Sequence, residues 1–266
     1  MIILTVVTPC FNSGDTLKDT LDSALLLSEI FADHGYLLEL ILVDGGSSDS
    51  TLAIANSYRN KFNNFSIIKN INGGPYRAMN KGLKSAKGEY SFVLNSDDFI
   101  SKPREYAEFI ISSKLNNAAV MLSSITYFCR PSFSSKHLWK IQPVDVNLTI
   151  WKNKILSGMH YPHPGFIAKT DIYLSTLFDE NYSLAADYKL MQSILLSLGS
   201  HENVSYSQIP YVAMAEGGLT TGFAAVFKGY LQLNAINKEL GIKRSVFRRY
   251  LPKVYRRLKG IIHGIC

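Results

Sequence analysis

Cysteine is scarce in this chain, and the shortage excludes two architectures at once. Cys10, Cys129 and Cys266 are the only ones, with no Cys-x-x-Cys pair. They support neither a disulfide framework nor a zinc cluster, and a reducing cytosol is the expected setting. Long apolar runs are also missing: none reaches the roughly eighteen residues that cross a bilayer. Residues 1–7 form a short apolar run without a basic leader or cleavage site, so the chain is expected to be neither exported nor membrane-spanning. Charge is sparse, at 18% of residues against 47% hydrophobic, which excludes extended disorder and supports a full core. The net charge of +7 is local. Residues 223–266 hold ten Lys/Arg against one Glu, leaving −2 for everything before them. Such asymmetry argues against a nucleic-acid-binding domain and for a separate role of the C-terminal segment.

What is present alternates. Residues 2–7 are a β-branched apolar run of the kind covered on both faces in a parallel sheet. Ser13 is placed to cap a helix carrying Leu17, Leu21, Ala24 and Leu25 at helical spacing. Residues 37–43 read as a second strand. A helix starting at Ser47 or Ser48 carries Leu52, Ile54, Ala55 and Tyr58, and residues 65–69 make a short third strand. Gly73-Gly74-Pro75 opens a helix over 75–86, proline suiting its first turn. Residues 89–94 give a fourth strand. The order implies right-handed crossovers and a doubly wound parallel sheet. Beyond Ser101 the signal weakens to a helix over 104–114, strands over 118–128 and 136–142, an irregular stretch, and a helix over 184–198.

The chemistry gathers at strand ends. The fourth strand stops at two adjacent carboxylates, Asp97 and Asp98, where ligands of open α/β sheets bind. Neighbouring carboxylates are costly to bury unless a cation or hydrogen-bond donors offset them, and hard divalent cations take both carboxylate and phosphate oxygens. Asn-Ser-Asp-Asp is equally good turn chemistry. The second strand ends at Asp44-Gly-Gly-Ser-Ser-Asp-Ser-Thr and the first at Thr8-Pro-Cys-Phe-Asn-Ser-Gly, so three strands deliver polar turns to one edge. His160 and His163 have Pro162 between them and do not share a helix face, which excludes a zinc pair. Trp139, Trp151 and Tyr161 could form a sugar-stacking wall or simply core.

Together with Gly73-Gly-Pro-Tyr-Arg-Ala-Met-Asn-Lys-Gly and Ala185-Ala-Asp-Tyr-Lys-Leu, these segments resemble the family 2 glycosyltransferases of the GT-A fold, over residues 2–221. The resemblance implies an α/β GT-A-like domain over 1–222, with a nucleotide-binding half (1–98), an acceptor half (99–222) and a basic helical extension over 223–266. It implies an inverting transferase that uses a divalent metal, Mn2+ or Mg2+, and a nucleotide-diphosphate sugar, most simply a UDP-sugar. The acceptor would be a saccharide or a lipid-linked sugar of a surface-polysaccharide pathway. By resemblance Asp98 is the metal ligand and Asp97 the partner of the ribose or sugar. Asp44 meets the base, Thr8, Pro9 and Phe11 enclose the nucleoside, and Asn80 matches the donor side. Asp187 is the catalytic base, His160 and His163 lie on the acceptor side, and Glu216-Gly-Gly-Leu-Thr-Thr sits near the donor phosphates. Arg77 departs from the family, which commonly has an acidic residue there. An arginine could instead pair with diphosphate, or mark a binding or scaffolding protein that keeps the fold without turnover. A nucleotidyltransferase would need a basic Gly-rich loop after the first strand, which is lacking.

In the extension, Val246, Phe247, Tyr250, Leu251, Val254, Tyr255, Leu258, Ile261 and Ile262 recur at helical spacing among Arg and Lys, with Pro252 interrupting. This is the pattern of a helix lying on an anionic membrane surface, so a cytoplasmic protein peripheral to the inner face of the cell membrane is expected.

Overall fold

The computed structural model describes residues 1–130, 132–144, 147–199, 203–216 and 223–243. The first half alternates as its sequence dictates: β1 (Ile2–Cys10), α1 (Leu17–Asp33), β2 (Leu37–Asp44), α2 (Thr51–Ser57), β3 (Asn64–Ile68), α3 (Pro75–Leu83) and β4 (Tyr90–Val93). There follow β5 (Phe99–Ile100), α4 (Pro103–Leu115), β6 (Val120–Cys129), β7 (Ser134–Trp139), α5 (Leu148–Leu156), a 3-10 turn (His163–Gly165), β8 (Phe166–Lys169), α6 (Thr170–Thr176), α7 (Ala186–Ser197), β9 (Val204–Ala215) and α8 (Phe223–Glu239). One sheet runs in the order β3-β2-β1-β4-β8-β6-β9-β5, with β7 beside β6. β1 to β4 are mutually parallel, β8 is reversed, β6 and β9 resume the first direction, and β5 and β7 oppose them, so six of nine strands point one way. The sheet crosses the 98/99 division expected from sequence, because β4 pairs with β8.

Alternation along the strands feeds two cores. Leu40 and Leu42 pack with Leu17, Leu21 and Tyr106 on the α1/α4 side, while Ile41 and Val43 pack with Leu83 on the α3 side, in a core that also holds Trp151 and Leu190. Each such buried aliphatic side chain contributes about 1.5–3 kcal/mol. α3 sits close to the sheet because Gly82 has no Cβ: one placed there would lie 2.3 Å from a Val7 methyl.

Two local expectations are corrected, and the start of the C-terminal extension is placed. Ser13 does not cap α1. The turn after β1 runs on to Thr16, where α1 has its N-cap position without a side-chain bond, and the Ser13 hydroxyl instead pairs with Ser96 at 2.8 Å. α2 starts at Thr51, not at Ser47 or Ser48, because Ser47 and Ser48 bond across to Asn12 and Asp49 closes on Thr51. Residues 223–243 are packed into the body: Leu233, Ile236 and Ile242 bury against Ala185 and Tyr188, and Gln232 Oε1 accepts the Leu184 amide at 2.9 Å. The apolar and basic stripe over 246–262 and the Gly-Gly-Leu-Thr-Thr segment after Glu216 lie outside the described residues. Among those described, no helix is long and apolar enough to cross a membrane.

Candidate active site

The carboxyl ends of β1, β2 and β4 meet at one edge, and their turns are laced together. The Asn12 amide donates to Ser47 Oγ at 2.9 Å, the Ser48 amide to Asn12 Oδ1 at 3.0 Å and the Ser13 amide to Thr51 Oγ1 at 2.7 Å. Asp49, which the sequence reading passed over, is the centre of the brace. Its carboxylate accepts from the Gly14 amide and from the Thr51 amide and hydroxyl, and these bonds, the hydroxyl first, hold its pKa below the usual carboxylate value. The available signal was its place in a Ser/Asp/Thr run, which favours side-chain to backbone bonding.

The acidic turn divides its carboxylates. Asp98 is only 1% exposed; its Oδ1 accepts from the Ala215 amide at 2.9 Å and its Oδ2 from the Asn95 side-chain amide at 3.1 Å. Burial, and then the adjacent Asp97 charge, push its pKa up to about 8. Asp97 is partly exposed. Its pKa is also raised by burial, opposed by its own backbone amide and the Arg130 charge. Both Asp98 oxygens thus anchor the turn, one to β9 and one to Asn95, while Asp97 is the carboxylate of the pair that solvent reaches.

Other expected donor residues are placed as follows. Thr8 and Pro9 are buried inside β1, paired with Leu42 and Val43, and Thr8 Oγ1 has no hydrogen-bond partner among the described residues; Phe11 stands 64% exposed. Asp44 is fully buried, and its carboxylate accepts from the Gly46 and Ser47 amides, which shapes the turn after β2. Asn80 is spent on structure: its amide donates to the Phe178 carbonyl and Glu180, and its oxygen accepts the Phe178 amide, fixing the segment that leads into α7. Arg77 is exposed in the first turns of α3, its stem against Gly73, which has a φ of +116°.

On the α7 side, Asp187 lies in the helix's first turn, partly exposed, and accepts from the Tyr76 hydroxyl at 3.2 Å. Tyr76 stacks on Phe178, with ring centroids 5.4 Å apart. Burial, and then the Asp187 charge, hold its hydroxyl far above the usual pKa, so it stays a donor. This contact joins the Gly-Gly-Pro segment to α7 across 111 residues, and no local pattern announces it. His163 meets Phe178 edge-on and is buried; burial lowers its pKa against the opposing pull of Asp187, and its Nε2 has no hydrogen-bond partner among the described residues. His160 is set apart, its Nδ1 3.2 Å from the Gly158 carbonyl and its ring between Trp139 and Tyr188. Trp151 and Tyr161 are core: Trp151 donates its indole N–H to Tyr206 at 2.8 Å.

No group of three or more His, Cys, Asp or Glu gathers as a metal cage among the described residues. Two crowded carboxylates, one partly exposed, still fit a hard cation whose remaining positions are filled by phosphate oxygens and water.

A sheet of this order with an acidic turn at its edge defines a GT-A-type protein. The chain superposes on Staphylococcus aureus TarS 1-349, solved with UDP-GlcNAc, with a TM-score of 0.65 and 20% identity over 88% of this chain and 65% of that one. It superposes on the mannosyltransferase PcManGT of Pyrobaculum calidifontis, solved with GDP-Man and Mn2+, with a TM-score of 0.59 and 16% identity over 86% and 61%. Glycosyl transferase family 2 matches residues 5–174, and the chain belongs to that family. In sequence it is 38% identical, over 99 residues, to the poly(ribitol-phosphate) beta-glucosyltransferase of Bacillus spizizenii, which is 36% of this chain and 15% of that enzyme. The chain thus spans less than two thirds of the length of each of these proteins.

Proposed function

We propose that the protein transfers a sugar from a nucleotide-diphosphate donor, most simply a UDP-sugar, to a hydroxyl of a saccharide or lipid-linked acceptor in bacterial surface-polymer synthesis, with inversion. The observation that carries this is the Tyr76–Asp187 bond, which sets an accessible carboxylate beside the Gly-rich segment at the sheet edge that also bears Asp97. Asp187 takes the proton of the acceptor hydroxyl as its oxygen attacks the anomeric carbon, and the bond to the diphosphate breaks with its electron pair. Tyr76 holds Asp187 in place. Asp97 would hold the divalent ion, Mn2+ or Mg2+, which when bound neutralises charge on the departing diphosphate. Arg77, exposed at the start of α3, is placed to meet phosphate. The TarS and PcManGT complexes support the donor class and the ion, and the B. spizizenii enzyme supports the polymer setting.

The test is release of nucleoside diphosphate from a panel of nucleotide sugars, with and without Mn2+ and after chelation. Metal-stimulated release from one donor is expected. Nucleotide binding without release would overturn the enzyme reading in favour of the scaffolding role that Arg77 suggests.

The basic stripe over 246–262 supports docking to an anionic membrane surface, each basic residue contributing about 1 kcal/mol near it. Because Ile242 is buried and the Lys243 amide donates to the Leu156 carbonyl, a shortened chain should end after Lys243. The full chain should cosediment with anionic liposomes at low salt and the shortened one should not. Equal behaviour of the two would remove the membrane role.

A further inference from the structure

The acidic turn is held from behind at three successive carbonyls. Thr16 Oγ1 donates to the Ser96 carbonyl at 2.8 Å, Arg130 Nη2 and Nε donate to the Asp97 carbonyl at 2.9 and 3.3 Å, and Thr20 Oγ1 donates to the Asp98 carbonyl at 2.7 Å. Thr16, Asp19 and Thr20 follow i, i+3, i+4 spacing and share one side of the start of α1. Asp19 does not reach the turn; it holds Arg130, Nη1 to Oδ2, at 2.8 Å. The guanidinium lies 5.2 Å from the ring centroids of both Phe128 and Phe133, which stack on each other. A cavity of about 460 Å³, lined by Asp15, Thr16, Asp19, Arg130 and Phe133, opens onto it.

We propose that Arg130, anchored by Asp19, is a positioning residue for the cation site: it pins the Asp97 peptide so that the Asp97 carboxylate stays at the sheet edge. The inference rests on the reading of Asp97 as cation ligand given above. When both carboxylates are charged they repel, and a rotation of the Asp97 peptide would carry its carboxylate away from the sheet edge. Paired N–H donors on its carbonyl prevent the rotation, and the positive charge close by offsets the crowding. Lysine could supply the charge but not the fork that meets the carbonyl and Asp19 together.

The experiment titrates Mn2+ alone into the full chain, reading free Mn2+ by electron paramagnetic resonance, with metal-free UDP binding by calorimetry alongside. Arg130→Ala should weaken Mn2+ binding about 10- to 100-fold, as loss of a group supporting a metal ligand generally does, while changing metal-free UDP binding by less than about threefold. Guanidinium at low millimolar concentration, entering through the cavity, should restore part of the Mn2+ affinity to Arg130→Ala and none to the wild type. If Arg130→Ala melts early, Arg130→Lys carries the test, with weakened Mn2+ binding expected at an unchanged melting temperature. Wild-type Mn2+ affinity in both variants, or equal losses of Mn2+ and UDP binding, would overturn the positioning role. Asp97→Asn separates the two layers. If it alone loses Mn2+, the ligand reading stands and the role of Arg130 falls; if it binds Mn2+ like the wild type, the ligand reading itself is wrong.

Discussion

Asp97→Asn should reduce metal-stimulated release of nucleoside diphosphate by about 10²- to 10³-fold, the cost of removing one preorganised electrostatic partner, and leave the fold intact or slightly firmer. The amide keeps the size of the side chain and removes a charge that raises the proton affinity of Asp98. The sign follows from linkage. Asp98 has its pKa raised to about 8 in the folded protein from 3.8, so the folded state binds a proton that the unfolded state has released. Stability without metal should therefore fall as pH rises between about 4 and about 8, and Asp97→Asn should flatten that slope. Mn2+ should flatten it as well, by supplying the missing positive charge. Asp98→Asn behaves differently: an amide has one acceptor where two donors, the Ala215 amide and Asn95, now point, so a loss of about 1–3 kcal/mol and a lower melting temperature are expected. Differential scanning calorimetry across pH, paired with donor hydrolysis, reads both variants. Wild-type release by Asp97→Asn, or a melting temperature that falls in Asp97→Asn and holds in Asp98→Asn, would reverse the division of labour between the two carboxylates.

How far the sequence reached depended on the range of each interaction. Strand ends were legible because β1, β2 and β4 are largely apolar runs that break at polar turns, and the crossover rule then orders them. The uses of the polar residues in those turns were not legible, because Ser13, Ser47, Asp49 and Ser96 bond between turns that are far apart in the chain. Asp44 and Asn80 bond to groups near and far in the chain, partners that packing selects and the sequence does not announce. Adjacency likewise gave no hint of which of Asp97 and Asp98 turns inward; β9, more than a hundred residues later, decides it through one amide. Arg130 and Tyr76 were missed for the same reason. Each works on a partner 33 or 111 residues distant, and even Tyr76, inside the Gly-Gly-Pro segment, has no local sign of that partner. In the acceptor half the aromatic residues left a sugar-stacking wall and core both open, and Trp151 proves to be core because it finds its hydrogen-bond partner in Tyr206 and so can be buried at no polar cost.

Asp187→Asn should lower transfer to acceptor by about 10²- to 10⁴-fold, the usual worth of a positioned general base, with nucleotide affinity unchanged. The amide preserves the helix start and can still accept from Tyr76, so the segment joining α3 to α7 should hold its shape. What it cannot do is take the proton of an attacking hydroxyl. Tyr76→Phe is the companion variant. It leaves the carboxylate but frees its rotation, so it should cost less than Asp187→Asn and act on the transfer rate more than on donor binding. α8 bears on the same helix, because Gln232 and Asn237 bond to Leu184 and Tyr188 on either side of Asp187. The shortened chain ending after Lys243 keeps these bonds and should transfer to a water-soluble acceptor as well as the full chain does. Rates of sugar transfer and of donor hydrolysis, measured on the same preparations with nucleotide affinity by calorimetry, distinguish a base from a structural carboxylate. Transfer by Asp187→Asn at the wild-type rate would remove Asp187 from the chemistry. A parallel loss of nucleotide binding would mean that it holds the fold of the donor side, with the proton acceptor to be sought among the other side chains that face the acceptor.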